Sequence, residues 1–363
     1  MGDAHQHGIA LITAMLIAAI VTAGAVALAT SQQFSNRRVT NILTADQIQL
    51  GVRALEQQAH QLLREDATRG QYDAADEAWA QAELITTIGD LKLEGRLRDL
   101  QGRFNLTNLS PEPAYAAEGS VNTAAPPPAV ESTANPQLPV PGGAASTAPP
   151  GAPLPVGDTP AQNDAALTPA ARGEQQLRLL FKALELAPEP VQAILDWIDP
   201  DTETRFPNGA EDDYYTEQQP AYRAGNRPLL SIRELLLIKG ITAEIYRKLA
   251  PFVTCLPRAG RINVNSAPKE VLLSLAPSLD SSAVNILLRA RDTQPFLTID
   301  AFIKHPLLQF RQIPADDVTV TSDYFELQST ARNARLDARM VSLLARSGRE
   351  VATLRRWRDN FDE

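Results

Sequence analysis

Apolar and polar positions along the chain follow three successive patterns. From Ile9 to Ser31 no residue is charged, and the run IALITAMLIAAIVTAGAVALATS has no polar face. A helix that crosses a bilayer needs about 20 apolar residues, whereas a core helix of a soluble protein keeps a polar stripe. The run therefore predicts a membrane-spanning helix over residues 9–31. Past it, Ile48, Val52, Leu55, Ala59 and Leu62 recur at spacings of three and four, one face of a continuing helix that Gly70 stops. Residues 91–106, LKLEGRLRDLQGRFNL, switch to period-two alternation and predict strands of a small sheet.

The pattern then breaks off. Residues 110–169 are dominated by Pro, Ala, Gly and Ser and hold about half of the 27 prolines. Such a stretch cannot bury a core and is expected to be disordered, a boundary or surface insertion. Helical spacing returns over about 170–314, in QQLRLLFKALEL, VQAILDWI, RELLLIKGITAEIYRKLAPFV, APKEVLLSLAP and SSAVNILLRARD. Phe325–Arg332 and Arg339–Ala345 alternate again as strands. The expected fold is α+β: an antiparallel sheet pairing residues 91–106 with 323–346, closed around a large all-α insertion.

The start of the chain adds a direction. A short polar leader, MGDAHQHG, ends in Gly8 immediately before the apolar run. A cleaved secretory signal has a shorter apolar core and its small-residue site after that core. The observed order resembles the leader of type IV pilins, which is cut on the cytoplasmic side after the glycine. That resemblance implies processing by a prepilin peptidase between Gly8 and Ile9, with the helix retained. Arg37 and Arg38 follow the helix; the positive-inside rule alone favours the opposite orientation to the one the leader implies.

Charge and rare residues narrow the chemistry. Formal net charge is −9 over 363 residues, which argues against nucleic acid as a partner, since phosphate contacts need clustered Lys and Arg. Cys255 is the single cysteine, so neither an intrachain disulfide nor a four-Cys zinc site is available. His5, His7, His60 and His305 are scattered and suggest no metal site. Phosphate loops, nucleotide fingerprints and Ser/His/Asp arrangements are not recognisable, and no enzyme activity is expected.

Two stretches remain as candidates. DWIDPDTETRFPNGAEDDYY crowds Asp196, Asp199, Asp201, Glu203, Glu211, Asp212 and Asp213 around a Pro-Asn-Gly turn. Clustered carboxylates either stay solvated or gather a cation, and calcium, with six to eight oxygens in flexible geometry, suits such a loop. Both readings stand on the residues alone. LIKGITAEIYRKL and INVNSAPKEVLLSLAP resemble helix-hairpin-helix (SAM-like) elements, which in DNA-binding proteins offer backbone N–H groups to phosphate. The second copy has Ala276-Pro277-Ser278-Leu279 in place of a Gly-rich hairpin, and Pro277 has no N–H to donate. A helical packing module is the favoured reading; the alternative is a membrane-anchored DNA-binding or uptake protein.

Taken in order, the Gly8–Ile9 junction, the apolar helix, GRFNL at 102–106, DWIDPD, GAEDDYY, NRPLLSIREL, INVNSAP and the C-terminal strands resemble the protein K family of type II secretion systems, the minor pseudopilins. The resemblance implies a leader at 1–8, a membrane helix at 9–31 and a pilin-like domain at 32–109 and 316–363. A Pro/Ala-rich segment at 110–169 and a helical insertion domain at 170–315 would interrupt it. Thr13 falls at the fifth mature position, where most pilins carry Glu; its absence marks a tip subunit within this group. The family implies calcium held by Asp199, Asp201, Glu211 and Asp212. It also implies association with the minor pseudopilins I and J, and residence in the inner membrane with the C-terminal domain in the periplasm.

Overall fold

The computed structural model describes residues 3–110, 167–333 and 336–359, with side chains described from Ala14 onward apart from those of Leu336 and Asp359. The stretch expected to be disordered, 110–169, lies outside these residues except at Ser110 and 167–169. Helix α1 (Asp3–Arg69) runs without a break through the apolar run and the amphipathic stripe. Residues 14–43 of it are exposed along their whole length. Further on, Val52, Leu55, Ala59 and Leu63 are buried, flanked by half-buried Ile48 and Leu62. The helix ends at Arg69, with Gly70 donating its N–H back to Asp66 O at 2.7 Å.

After α1 come α2 (Ala78–Gln81), β1 (Leu84–Ile88), β2 (Leu91–Asp99) and β3 (Phe104–Asn105). The helical block follows with α3 (Pro169–Ala183), α4 (Pro190–Ile198), α5 (Asp212–Tyr215) and α6 (Ala243–Leu249). It continues through β4 (Val253–Thr254), β5 (Ile262–Asn263), α7 (Lys269–Leu273), α8 (Ser281–Thr293) and α9 (Ile299–Ile303). The chain closes with β6 (Val318–Thr319), β7 (Tyr324–Asn333), β8 (Leu336–Ser347) and β9 (Glu350–Asp359).

The main sheet has the order β1-β2-β7-β8-β9 with every pair antiparallel. Alternation in β2 sends Leu91, Leu93 and Leu97 to the buried face, and Leu97 lies opposite Leu327 of β7. The stripe of α1 covers that face. Gly51 permits the approach: a Cβ there would sit 2.5 Å from both δ-methyls of Leu93.

The sheet departs from the sequence expectation at two places. Of the strands expected over 91–106, the one in the main sheet ends at Asp99. Phe104 and Asn105 instead pair in parallel with Val253 and Thr254 of the helical block. The change of sheet follows a tight turn in which Arg103 N–H donates to Leu100 O at 3.2 Å. Strands β1 and β9 were not anticipated. Each is an edge strand, and β9 carries Arg355, Arg356 and Arg358, so neither shows the apolar alternation of a strand flanked on both sides.

Two large apolar cores result, one between α1 and the sheet and one inside the helical block, with a small third cluster of Leu100, Leu256 and Leu343. A buried polar junction joins them. Asn263 Nδ2 donates to Asp73 O at 3.0 Å, Asp99 Oδ2 at 2.9 Å and Ser322 Oγ at 2.8 Å. Asp99 Oδ2 also accepts from Ser266 Oγ and Ser322 Oγ. Arg346 pairs with Asp66 at 2.8 Å and with Asp73.

Candidate metal centre

The acidic loop begins where α4 runs out. Eight of the nine residues of α4 are buried and Pro190 opens its first turn, so the helix is fixed within the helical core. Asp196 lies on its last turn, fully buried, and Asp199 is its C-cap. The chain loops out and returns through Gly209, Ala210 and Glu211 into α5. Aromatic packing anchors the return: Tyr215 is fully buried, and its ring meets that of Trp197 edge-on at 5.1 Å between centroids.

Asp196 organises the loop. Its Oδ2 accepts from Arg205 N at 3.1 Å and from Ala210 N at 2.8 Å. Gly209 passes so close that an added Cβ would collide with Asp196 Oδ2 and the backbone of Arg205. Arg205 turns inward, its Nε 3.1 Å from Asp196 Oδ1 and its Nη2 2.7 Å from Asp199 Oδ2.

Against this frame, Asp199, Asp201 and Glu211 each bring a carboxylate oxygen within 4.8 Å of the others. Asp199 and Glu211 are buried, while Asp201 is exposed and closes the group from the solvent side. Asp201 Oδ1 also accepts from Glu203 N at 2.8 Å, which sets its rotamer. Asp212, the fourth residue anticipated here, does not join them. Its Oδ1 accepts from Ala224 N at 2.9 Å and its Oδ2 lies 3.7 Å from Arg223 Nε. Glu203 is exposed at the rim and Asp213 faces solvent.

The electrostatics of the group are unbalanced. Four carboxylates, Asp196, Asp199, Asp201 and Glu211, crowd together, and the guanidinium of Arg205 pairs with only two of them, Asp196 and Asp199. Both oxygens of Glu211 are buried without a hydrogen-bond partner, as is Oδ1 of Asp199. Burial, and then the charges of Asp196, Asp199, Asp201 and Asp212, push the Glu211 carboxyl up to about 7. Burial likewise raises Asp196 and Asp199, in spite of Arg205. A buried anion with unpaired oxygens is strongly unfavourable unless a cation or proton joins it. The donor set is hard oxygen, the type that calcium takes. The residues present therefore fit a divalent cation, which Asp199, Asp201 and Glu211 could hold through their carboxylates. Arg205 was invisible as part of this group in the sequence, where it reads as one more polar residue of a loop.

A second carboxylate group, Asp66, Asp73 and Glu77, forms at the end of α1. Arg346 already sits against two of its members, and Glu77 Oε2 accepts from Ala74 N and Trp79 Nε1 at 2.9 and 3.0 Å. No local pattern marks it, because Arg346 arrives from the far end of the chain.

In the first hairpin-like element, Lys239 turns its donors inward. Gly240 takes a positive φ of 82°, and Lys239 N approaches Tyr215 Oη at 3.4 Å. Lys239 Nζ donates to Gly209 O at 2.9 Å and lies 5.0 Å over the Tyr214 ring. Lys239 thereby braces the acidic loop from behind.

Comparison with known proteins gives a consistent result. Family models described as type II secretion system (T2SS), protein K match residues 102–258 and 262–321. The chain is 28% identical to type II secretion system protein K of Pseudomonas aeruginosa, covering 98% of this chain and 90% of that one. It is 29% identical to the protein of the same name in Klebsiella pneumoniae, covering 97% and 96%. The fold is shared with a chain in the crystal structure of the GspK-GspI-GspJ complex from the type 2 secretion system of enterotoxigenic Escherichia coli. The TM-score is 0.66 at 20% identity, with 89% of this chain and 100% of that chain covered.

Proposed function

The chain belongs to the type II secretion system protein K family and is a minor pseudopilin of that system, and from this premise we propose that it caps the tip of a periplasmic pseudopilus. It does so with the minor pseudopilins I and J, and supports export of folded proteins across the outer membrane. Its work is assembly rather than catalysis.

The observation that carries this proposal is one helix with two surfaces. Residues 14–43 of α1 expose Met15, Leu16, Ile17, Ile20, Val21, Val26, Leu28, Phe34, Val39, Ile42 and Leu43, whereas from Gly51 onward one face of the same helix is buried against the sheet. An apolar surface of that length needs lipid or partner helices around it. The first part is long and apolar enough to cross a membrane. We place it in the inner membrane, with the domains in the periplasm. The exposed turns after the span then meet the helices of I and J. Cleavage by prepilin peptidase between Gly8 and Ile9 frees the N-terminus of that helix. The acidic loop holds structural calcium through Asp199, Asp201 and Glu211, with Asp212 at its margin. Nucleic acid has no place in this reading, and the inward-facing Lys239 supports that.

Co-expression with candidate I and J pseudopilins tests the proposal. The chain should co-purify with both from membranes, and its mass should correspond to a start at Ile9. Recovery alone, or an intact leader in the complex, would overturn it.

A further inference from the structure

A cleft of about 1090 Å³ opens between the second half of α1, the loop 257–261 and the β8–β9 turn. Its walls carry Arg64, Arg258, Arg261 and Arg349. Among the described residues, Arg64, Arg258 and Arg349 have no carboxylate within ion-pair distance, and Arg261 has only exposed Asp316 at 3.6 Å. These side chains are exposed. In a chain of net charge −9, this concentrates free positive charge in one concavity.

The loop bearing two of the arginines is held rigidly. Asn105 Nδ2 donates to Arg258 O at 2.7 Å, Asn108 Nδ2 to Gly260 O at 2.9 Å and Gln101 Nε2 to Arg261 O at 3.3 Å. Gly260 N returns a bond to Asn108 Oδ1 at 2.8 Å. Three amide side chains from one segment thus fix three of the loop's carbonyls, and the guanidinium stems leave from a preorganised backbone. Preorganisation lowers the entropy lost when a ligand is bound.

We propose that this cleft binds an acidic segment of another polypeptide. Guanidinium forks match carboxylates two bonds at a time, and arginines on three separate elements suit successive carboxylates of an extended chain. The volume exceeds what a single small anion needs. Asp323 and Glu350 also line the cleft; a peptide can offer them backbone N–H groups, which a phosphate backbone lacks. The proposal is independent of the calcium loop and of the I and J contacts.

Fluorescence anisotropy of the full chain in detergent, with a labelled poly-glutamate peptide as probe, tests it. Binding should saturate and weaken with added salt. Arg258→Glu with Arg349→Glu should weaken it by about tenfold, the sum of two exposed charge pairs changed in sign. Arg98→Glu with Arg289→Glu, which alters net charge equally but elsewhere, should leave it unchanged, and all variants should melt as wild type does. Absence of saturable binding would overturn the proposal. So would equal loss in both double variants, or equally tight binding of duplex DNA.

Discussion

At the scale of residues, the molecule concentrates its unfavourable electrostatics in Glu211. Both its oxygens are buried and unpaired, and four carboxylates act on it. Calcium should relieve this and stabilise the protein. A ligand at a hundredfold excess over its Kd adds about 2.7 kcal/mol, or roughly 2–4 °C in a domain of 150–250 residues. Magnesium should do less, since it insists on tight octahedral geometry. The informative variant is Glu211→Gln, which removes the buried charge and a ligand together. In chelator it should melt at or above wild type, and in calcium it should gain almost nothing. Asp201→Ala should also lose most of the calcium shift, whereas Glu203→Ala, at the rim, should keep it. Thermal melts with calcium, magnesium or EGTA decide the matter. A calcium shift that survives in both Asp201→Ala and Glu211→Gln would place the ion elsewhere.

At the scale of elements, α1 is fastened to the far edge of the sheet by a charge as well as by its apolar stripe. Glu56 is 2% exposed. It accepts from Arg356 Nε and Nη2 of β9, both at 2.6 Å, and from Ser342 Oγ of β8 at 2.7 Å. Burial raises its carboxyl, but the bonds from Arg356 and Ser342 outweigh that and hold it below its ordinary value. A depressed carboxylate stabilises the fold above its unfolded value, near 4.5, and this contribution is lost as pH falls through its folded value. Arg356→Met should therefore cost about 1.5–3 kcal/mol at neutral pH, the range for hydrogen bonds to a charged group. The difference from wild type should shrink as pH falls below Glu56's unfolded value. Urea titrations of both proteins across that pH range check it; a gap independent of pH would mean that Arg356 acts through packing alone.

At the scale of the whole molecule, the two large apolar cores meet through a buried polar junction and a small apolar cluster of Leu100, Leu256 and Leu343, so hydrogen bonds carry much of the cooperativity between them. Asn263 is at the centre, bonded to Asp73, Asp99 and Ser322. Burial pushes the Asp99 carboxyl up despite its bonds from Ser266, Ser322, Gln101 and Asn263, and Asp73 and Ser322, the other partners of Asn263, are buried, so losing the amide strands acceptors in the interior. Asn263→Ala should destabilise by about 1–3 kcal/mol for the stranded partners. It should also separate unfolding of the sheet from that of the helical block. Calorimetry should then show two transitions in place of one; a single transition shifted downward would show that the apolar contacts couple the cores unaided.

The sequence by itself determined the elements whose signal is local. The uncharged run before Arg37, the stripe from Ile48 to Leu62, the stop at Gly70 and the alternation of Leu91, Leu93 and Leu97 each follow from spacing and solvent preference within one element. The crowding of Asp199, Asp201 and Glu211 was also legible, because a short loop keeps neighbours in sequence near each other in space. Tertiary structure alone decided which carboxylates converge. Asp212 is adjacent to Glu211, yet it turns to Ala224 and Arg223, since the entry into α5 points successive side chains in different directions. It also decided that Phe104 and Asn105 leave the sheet for Val253 and Thr254, and that Arg346 reaches Asp66 and Asp73. The arginine cleft arises in the same way, from segments nearly 300 residues apart. Contacts of that kind depend on how the chain closes its cores, and no local periodicity encodes that closure.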